Sequence, residues 1–185
     1  MKVYIDGAAR GNPGPAAYGF AIFRGDQLIA EENGRLGSTT NNVAEYTALV
    51  RALECASSLD HSGPVVVHSD SELLVKQMNG EYRVKNARLR ELFEQAKKLA
   101  AQFGDLTIRH VPRSQNTQAD RLCNEALDGK RLVTASKKPA ADASSLRETA
   151  LACLREAAQK WRSQASDAPD PEQVLDQLLH ILKQN

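Results

Sequence analysis

Cysteine is scarce in this chain, and Cys55, Cys123 and Cys153 lie far apart, are odd in number and form no CxxC pair. A disulfide scaffold is thereby excluded, and reduced thiols in a cytoplasm are the plain expectation. Long hydrophobic runs are missing too: no apolar stretch approaches the roughly 20 residues that span a bilayer. The opening MKVYIDGAAR lacks the apolar core of a secretory signal, so the expected location is cytoplasmic, with no membrane partner. Neither charge sign dominates, with 24 Lys+Arg against 23 Asp+Glu. The balance is −1 over residues 1–129 and +2 over 130–185. A protein that held a polyanion by its global field would be far more basic, so any such partner must be gripped by local groups. What is present is enough for a real core: 185 residues, 42% of them hydrophobic, a length that suits one domain plus an appendage.

Two hydrophobic rhythms organise the first two thirds. Residues 2–7 alternate, with Val3 and Ile5 on one face and Tyr4 and Asp6 on the other, as a strand does. Residues 17–24 and 27–35 flank Gly25-Asp26, a two-residue hairpin signal. The period then lengthens. Glu45, Ala48, Leu49 and Ala52 recur at helical spacing within residues 41–58, which Thr40 or Asn41 can cap. After Gly63-Pro64, the apolar run 65–67 reads as a central strand buried on both faces. A short helix follows over 71–78, a longer one over 86–103, a strand over 106–111 and a last helix over 117–127. This order predicts an α/β fold: a mixed five-stranded sheet with helices on both faces, antiparallel hairpins first and right-handed crossovers later. Domain boundaries are expected at 1–128 for the main domain, 129–145 for a Lys/Ala/Ser/Pro linker and 146–185 for a two-helix hairpin.

Four carboxylates stand out by position. Asp6 ends the first alternation, Asp70 follows the buried run, Glu45 sits on the apolar stripe of its helix, and Asp120 shares a face with Cys123 and Leu127. If the first strand and the 65–69 strand are parallel neighbours, Asp6 and Asp70 emerge side by side at their carboxyl ends, where open α/β sheets place ligands. A carboxylate on an apolar stripe is costly without a compensating cation, yet no Lys or Arg occupies the matching positions around Glu45. Converging acids repel one another and take up protons unless a divalent ion is present. Oxygen-only donors select Mg²⁺ or Mn²⁺, and the Cys/His clustering that zinc prefers is missing.

The segments around these acids, YIDGAARGNPGPAAYG, TTNNVAEYTALVRAL, HSDSELLVKQMNG and VPRSQNTQADRLCNEAL, resemble the four signature blocks of type 1 ribonuclease H, in that family's order, over residues 3 to about 127. The resemblance implies the ribonuclease H-like fold. It also implies an endonuclease that hydrolyses the RNA strand of an RNA–DNA hybrid, leaving 5′-phosphate and 3′-hydroxyl ends. Asp6, Glu45, Asp70 and Asp120 would be both the catalytic acids and the ligands of two Mg²⁺ or Mn²⁺ ions, with Asp6 bridging the pair. Two such ions clamp the scissile phosphate, one activating the attacking water and the other neutralising the leaving oxygen.

By the same resemblance, the hybrid would be contacted by Asn12 in the Gly-rich turn, by Thr40 and Asn41 at a DNA-strand phosphate, by Asn42 at a base edge, and by Ser71. Glu72 departs from the Gln often found at its position. The turn is not a phosphate-loop kinase motif, since no GK[ST] follows. Two residues are candidates for a charged assistant near the metals: His110, ten residues before Asp120, and Arg113, within the VPRSQN loop. Arg113 is the favoured one; because an arginine does not readily release its proton, its role would be electrostatic. The basic, Trp-containing protrusion found in many family members is missing, as residues 77–84 lead straight into the next helix. Two alternatives stay open: a broader nuclease that also cuts double-stranded RNA, and a hybrid-binding domain without catalysis. Residues 129–185 match none of the blocks. The hairpin expected there is read as packing on the nuclease domain or mediating self-association.

Overall fold

The alternation of Val3 and Ile5 with Tyr4 and Asp6 builds strand β1 (Lys2–Ala9), whose Val3 and Ile5 side chains are completely buried. In the computed structural model, which describes residues 1–59 and 63–135, β1 lies at the centre of a mixed sheet. It pairs antiparallel with β2 (Gly14–Arg24) and parallel with β4 (Val65–Ser69). β2 turns at Gly25, where φ is 61°, into β3 (Gln27–Thr39). β5 (Leu106–His110) runs parallel to β4 at one edge, and β6 (Val133–Ala135) pairs antiparallel with β3 at the other. The order across the sheet is β5-β4-β1-β2-β3-β6.

Helix α1 (Asn41–Ser58) starts where Thr40 caps it by accepting from the Val43 amide, and buries Leu49 and Leu53 completely. Each of these leucines contributes about 1.5–3 kcal/mol by leaving water. Helix α2 (Glu72–Met78) is capped by Ser71, and α3 (Ala87–Ala100) by Asn86. Helix α4 (Thr117–Leu127) packs over β1, β2 and β3. Two glycines set how closely the helices approach. A Cβ on Gly7 would sit 2.1 Å from the Glu45 backbone nitrogen, and one on Gly19 would sit 2.7 Å from that of Cys123. Asp6, which precedes Gly7, is paired with Gly19, and successive strand residues point to opposite faces. α1 and α4 therefore cover opposite sides of the sheet. The main core lies between the sheet and α1, and a smaller cluster of Ala17, Cys123, Ala126 and Leu127 lies under α4.

The five-stranded mixed sheet expected from the sequence is present as β1 to β5, and β6 extends its β3 edge. β6 falls in residues read as linker; three residues suffice because the edge of β3 offers unpaired backbone groups. β1, β2 and β3 all run further than their side-chain alternation suggests, since Gly14 pairs with Thr39 and Ala9 with Ala16 across the Gly-rich turn. The expectation that β4 is buried on both faces is corrected. Val65 and Val67 are buried, whereas Val66 and His68 are half-exposed, because α4 covers the β1–β3 half of that face. His68 stacks instead on Tyr4, with ring centroids 4.7 Å apart. The hairpin expected over 146–185, and with it the roles in packing or self-association, lies outside the described residues. Among the described residues, no helix is long and apolar enough to cross a membrane.

Candidate active site

The parallel register brings the acids together. Ile5 is level with Ser69, so the next residues along each chain, Asp6 and Asp70, lie side by side. β1 continues to Ala9, which places Asp6 inside the strand rather than at its end. Glu45 reaches the same point from α1 because Gly7 has no side chain to hold the helix away. One carboxylate oxygen from each of Asp6, Glu45 and Asp70 lies within 4.8 Å of the others. Asp6 and Glu45 are each only 5% exposed. Asp6 Oδ2 and Glu45 Oε2 are buried without a hydrogen-bond partner.

Two of these carboxyls, Asp6 and Glu45, resist ionisation. Burial, followed by the charges of Asp70 and Asp120, pushes the Asp6 carboxyl up to about 6, against smaller opposing effects from the Cys123 thiol and Arg113. Burial also holds Glu45 well above the usual carboxylate range, reinforced by Asp6 and Asp70. Desolvation and like charges act in the same direction here.

Asp120, the fourth acid, sits in the first turn of α4. It is near enough to raise Asp6 but is not one of the three gathered within 4.8 Å. Its Oδ1 accepts from Arg113, at 3.1 Å from Nε and in a closer contact from the terminal nitrogen. Arg113 lies in a single 3-10 turn, Arg113–Gln115, with its side chain 73% exposed. His110 ends β5 and is exposed. Of the two expected assistants, Arg113 is therefore the one that touches a carboxylate.

The residues expected to contact substrate lie in the Gly-rich turn and at the starts of α1 and α2. Asn12 Oδ1 accepts from the Asn41 amide at 3.2 Å, and Asn41 Oδ1 accepts from the Ala9 amide at 3.2 Å. Through these two bonds Asn41 ties the Gly-rich turn and the end of β1 to the start of α1. Thr40 serves there as the helix cap. Asn42 and Ser71 line a narrow cleft with Glu45 and Gln77, and Ser71 caps α2 through a 3.4 Å bond from the Leu74 amide. Glu72 turns back along α2 to Lys76 at 2.7 Å.

Sequence reasoning passed over two residues here. Cys123 is completely buried, donates to the Ala17 carbonyl at 3.2 Å and lies close enough to Asp6 to affect its ionisation; its spacing from Asp120 was the available signal. Asn116 is also completely buried and donates to Asp70 Oδ1 at 3.2 Å. Nothing local marks it apart from an ordinary helix cap.

Comparison with known proteins places the chain in a family. The reverse transcriptase-like family model matches residues 4–126. A bifunctional protein of Mycobacterium tuberculosis is 44% identical over 147 residues, covering 77% of this chain but only 39% of that protein. The chain thus spans about two fifths of that relative's length. Ribonuclease HI of Halobacterium salinarum is 44% identical over 129 residues, covering 69% of this chain and 64% of that protein. Its crystal structure superposes with a TM-score of 0.64 and is covered over 97% of its chain. The crystal structure of LC11-RNase H1 in complex with an RNA/DNA hybrid is 42% identical, with a TM-score of 0.65 and coverage of 69% and 96%. With the matched segment containing all four acids in an α/β sheet of this topology, the chain belongs to the type 1 ribonuclease H family.

Proposed function

We propose that this chain hydrolyses the RNA strand of RNA–DNA hybrids, leaving 5′-phosphate and 3′-hydroxyl ends, with two Mg²⁺ or Mn²⁺ ions held by Asp6, Glu45, Asp70 and Asp120. The observation that carries the reading is the gathering of Asp6, Glu45 and Asp70 within 4.8 Å, with one oxygen on each of Asp6 and Glu45 buried and unpartnered. Buried carboxylate oxygens without donors are costly, and a divalent cation supplies what they lack. The donor set is all oxygen, which suits Mg²⁺ and Mn²⁺. Asp6, Glu45, Asp70 and Asp120 would hold such ions, which would supply Lewis-acid activation of a water and charge neutralisation at the leaving oxygen.

The chain's own residues do the rest. Asp6 and Glu45 remain protonation-prone until a cation arrives, so the site is matched to a positively charged occupant. Arg113 holds Asp120 and places a permanent positive charge at the site's edge, which favours anionic phosphate there and helps to stabilise the leaving group. Asn12, Thr40, Asn41, Asn42 and Ser71 supply uncharged donors and acceptors around the cluster. They contact the hybrid without a strongly basic surface, in keeping with the near-neutral charge of the chain.

The relatives support the same reading: one is named ribonuclease HI, and another was solved with an RNA/DNA hybrid. The direct test offers hybrid, duplex RNA and duplex DNA with Mg²⁺ or Mn²⁺, with and without chelator. Cleavage confined to the hybrid's RNA strand and abolished by chelator is the expected result. Equal cutting of duplex RNA would favour the broader nuclease. Binding without cleavage in either metal would leave only a hybrid-binding domain.

A further inference from the structure

Asn116 stands at the start of α4, where an asparagine ordinarily turns its Oδ1 onto the helix's free amides. It does not do so here: α4 has no side-chain cap hydrogen bond. Its side chain points inward instead and is completely buried. Nδ2 donates to the Ile5 carbonyl at 2.8 Å and to Asp70 Oδ1 at 3.2 Å. Both neighbours are acceptors, so the amide can be oriented only one way. Oδ1 is left buried without a partner. The Asn116 backbone carbonyl accepts from the Asp120 amide at 3.1 Å, the first bond of α4, which any residue at this position would accept.

This one residue thus bonds to the residue before Asp6, to Asp70 itself and to the backbone of Asp120. It forgoes a helix cap and tolerates an unsatisfied oxygen in doing so. A buried polar atom without a partner calls for an explanation in function or strain, and the two side-chain bonds supply one. We infer that Asn116 is a positioning residue that fixes Asp70 against β1 and so sets the spacing of the carboxylates for divalent cations. The inference rests on the metal-dependent reading above and deepens it. Partners that orient metal-binding carboxylates act on metal affinity, whereas a residue that served packing alone would act on stability.

The test titrates Mn²⁺ into the full chain by calorimetry, alongside melting in chelator and hybrid cleavage kinetics. Asn116→Ala is expected to weaken Mn²⁺ binding about 10-fold or more and to lower kcat, with KM for hybrid changed by less than about twofold. Asn116→Ser can restore the missing cap of α4, so it should melt higher than Asn116→Ala while losing Mn²⁺ affinity equally. In an Asp70→Asn background, Asn116→Ala should add no further loss, because the two act through one contact. Mn²⁺ affinity within about twofold of the parent in either folded variant, or full additivity with Asp70→Asn, overturns the inference. If neither variant folds, the unsubstituted chain decides: the Asn116 side-chain amide resonances must move on Mg²⁺ addition and in Asp70→Asn, and immobile resonances overturn it. A parent chain that binds Mn²⁺ but cuts no hybrid sinks the proposed function and leaves the Asn116 result readable. A parent that cuts hybrid with Asn116 variants binding Mn²⁺ normally sinks this inference alone.

Discussion

The Glu45 backbone nitrogen lies 2.1 Å from where a Cβ on Gly7 would be. Helix α1 can deliver its buried carboxylate to Asp6 only because that side chain is missing. Gly7→Ala must push α1 off the sheet, at a cost of about 3 kcal/mol or more. The expected result is a lower melting temperature together with loss of cleavage. Retention of both would show that the helix is free to shift.

Without divalent cations, the site should make the protein less stable as pH rises. The folded-state Asp6 carboxyl is raised from 3.8 to about 6, so the native state holds a proton that the unfolded chain releases earlier. Its contribution is complete below the unfolded value and is lost as pH climbs through about 6, a swing of about 3 kcal/mol. Glu45 shifts in the same direction. Melting in chelator should therefore show lower stability at pH 8 than at pH 5 from these groups, and Asp6→Asn should flatten the slope. Added Mg²⁺ or Mn²⁺ should restore stability at the alkaline end.

Asp70→Asn keeps the shape of the side chain and removes the charge. Cleavage should be abolished while hybrid binding persists, measured by product formation and by a gel shift in chelator. Substantial turnover in this variant would overturn the assignment of the acids.

Arg113 and His110 separate cleanly. Arg113 is 73% exposed in its pair with Asp120, so Arg113→Ala should change stability by less than about 1 kcal/mol yet slow cleavage. His110→Ala, at the exposed end of β5, should leave the rate near that of the parent. The reverse ranking would move the assistant role to His110.

Asn41 joins Asn12 to Ala9 through two 3.2 Å bonds. Asn41→Ala keeps the backbone bond to Asn12 but removes the one from the Ala9 amide, so it should loosen the end of β1 that leads into the Gly-rich turn and raise KM for hybrid with a smaller change in kcat. A fall in kcat alone would place Asn41 with the chemistry instead.

Local rules carried much of this fold. The 117–127 and 41–58 helices were legible because apolar spacing and caps are properties of neighbouring residues, and the Gly25-Asp26 turn because glycine permits its backbone. Strand lengths were less legible: β3 extends to Thr39 because Gly14 pairs with it, and a pairing partner is not a local property. The four acids could be singled out from their motifs, and so could the need for a cation.

Only tertiary structure decided how those acids meet. It brought Asp6, Glu45 and Asp70 together and turned Asp120 to Arg113. It also recruited Asn116, whose partners Ile5 and Asp70 lie 111 and 46 residues away in the chain. Sequence determines which side chains are available and which elements carry them, because those depend on near neighbours. Which oxygens end up buried without donors depends on sheet register and on how closely the helices approach it.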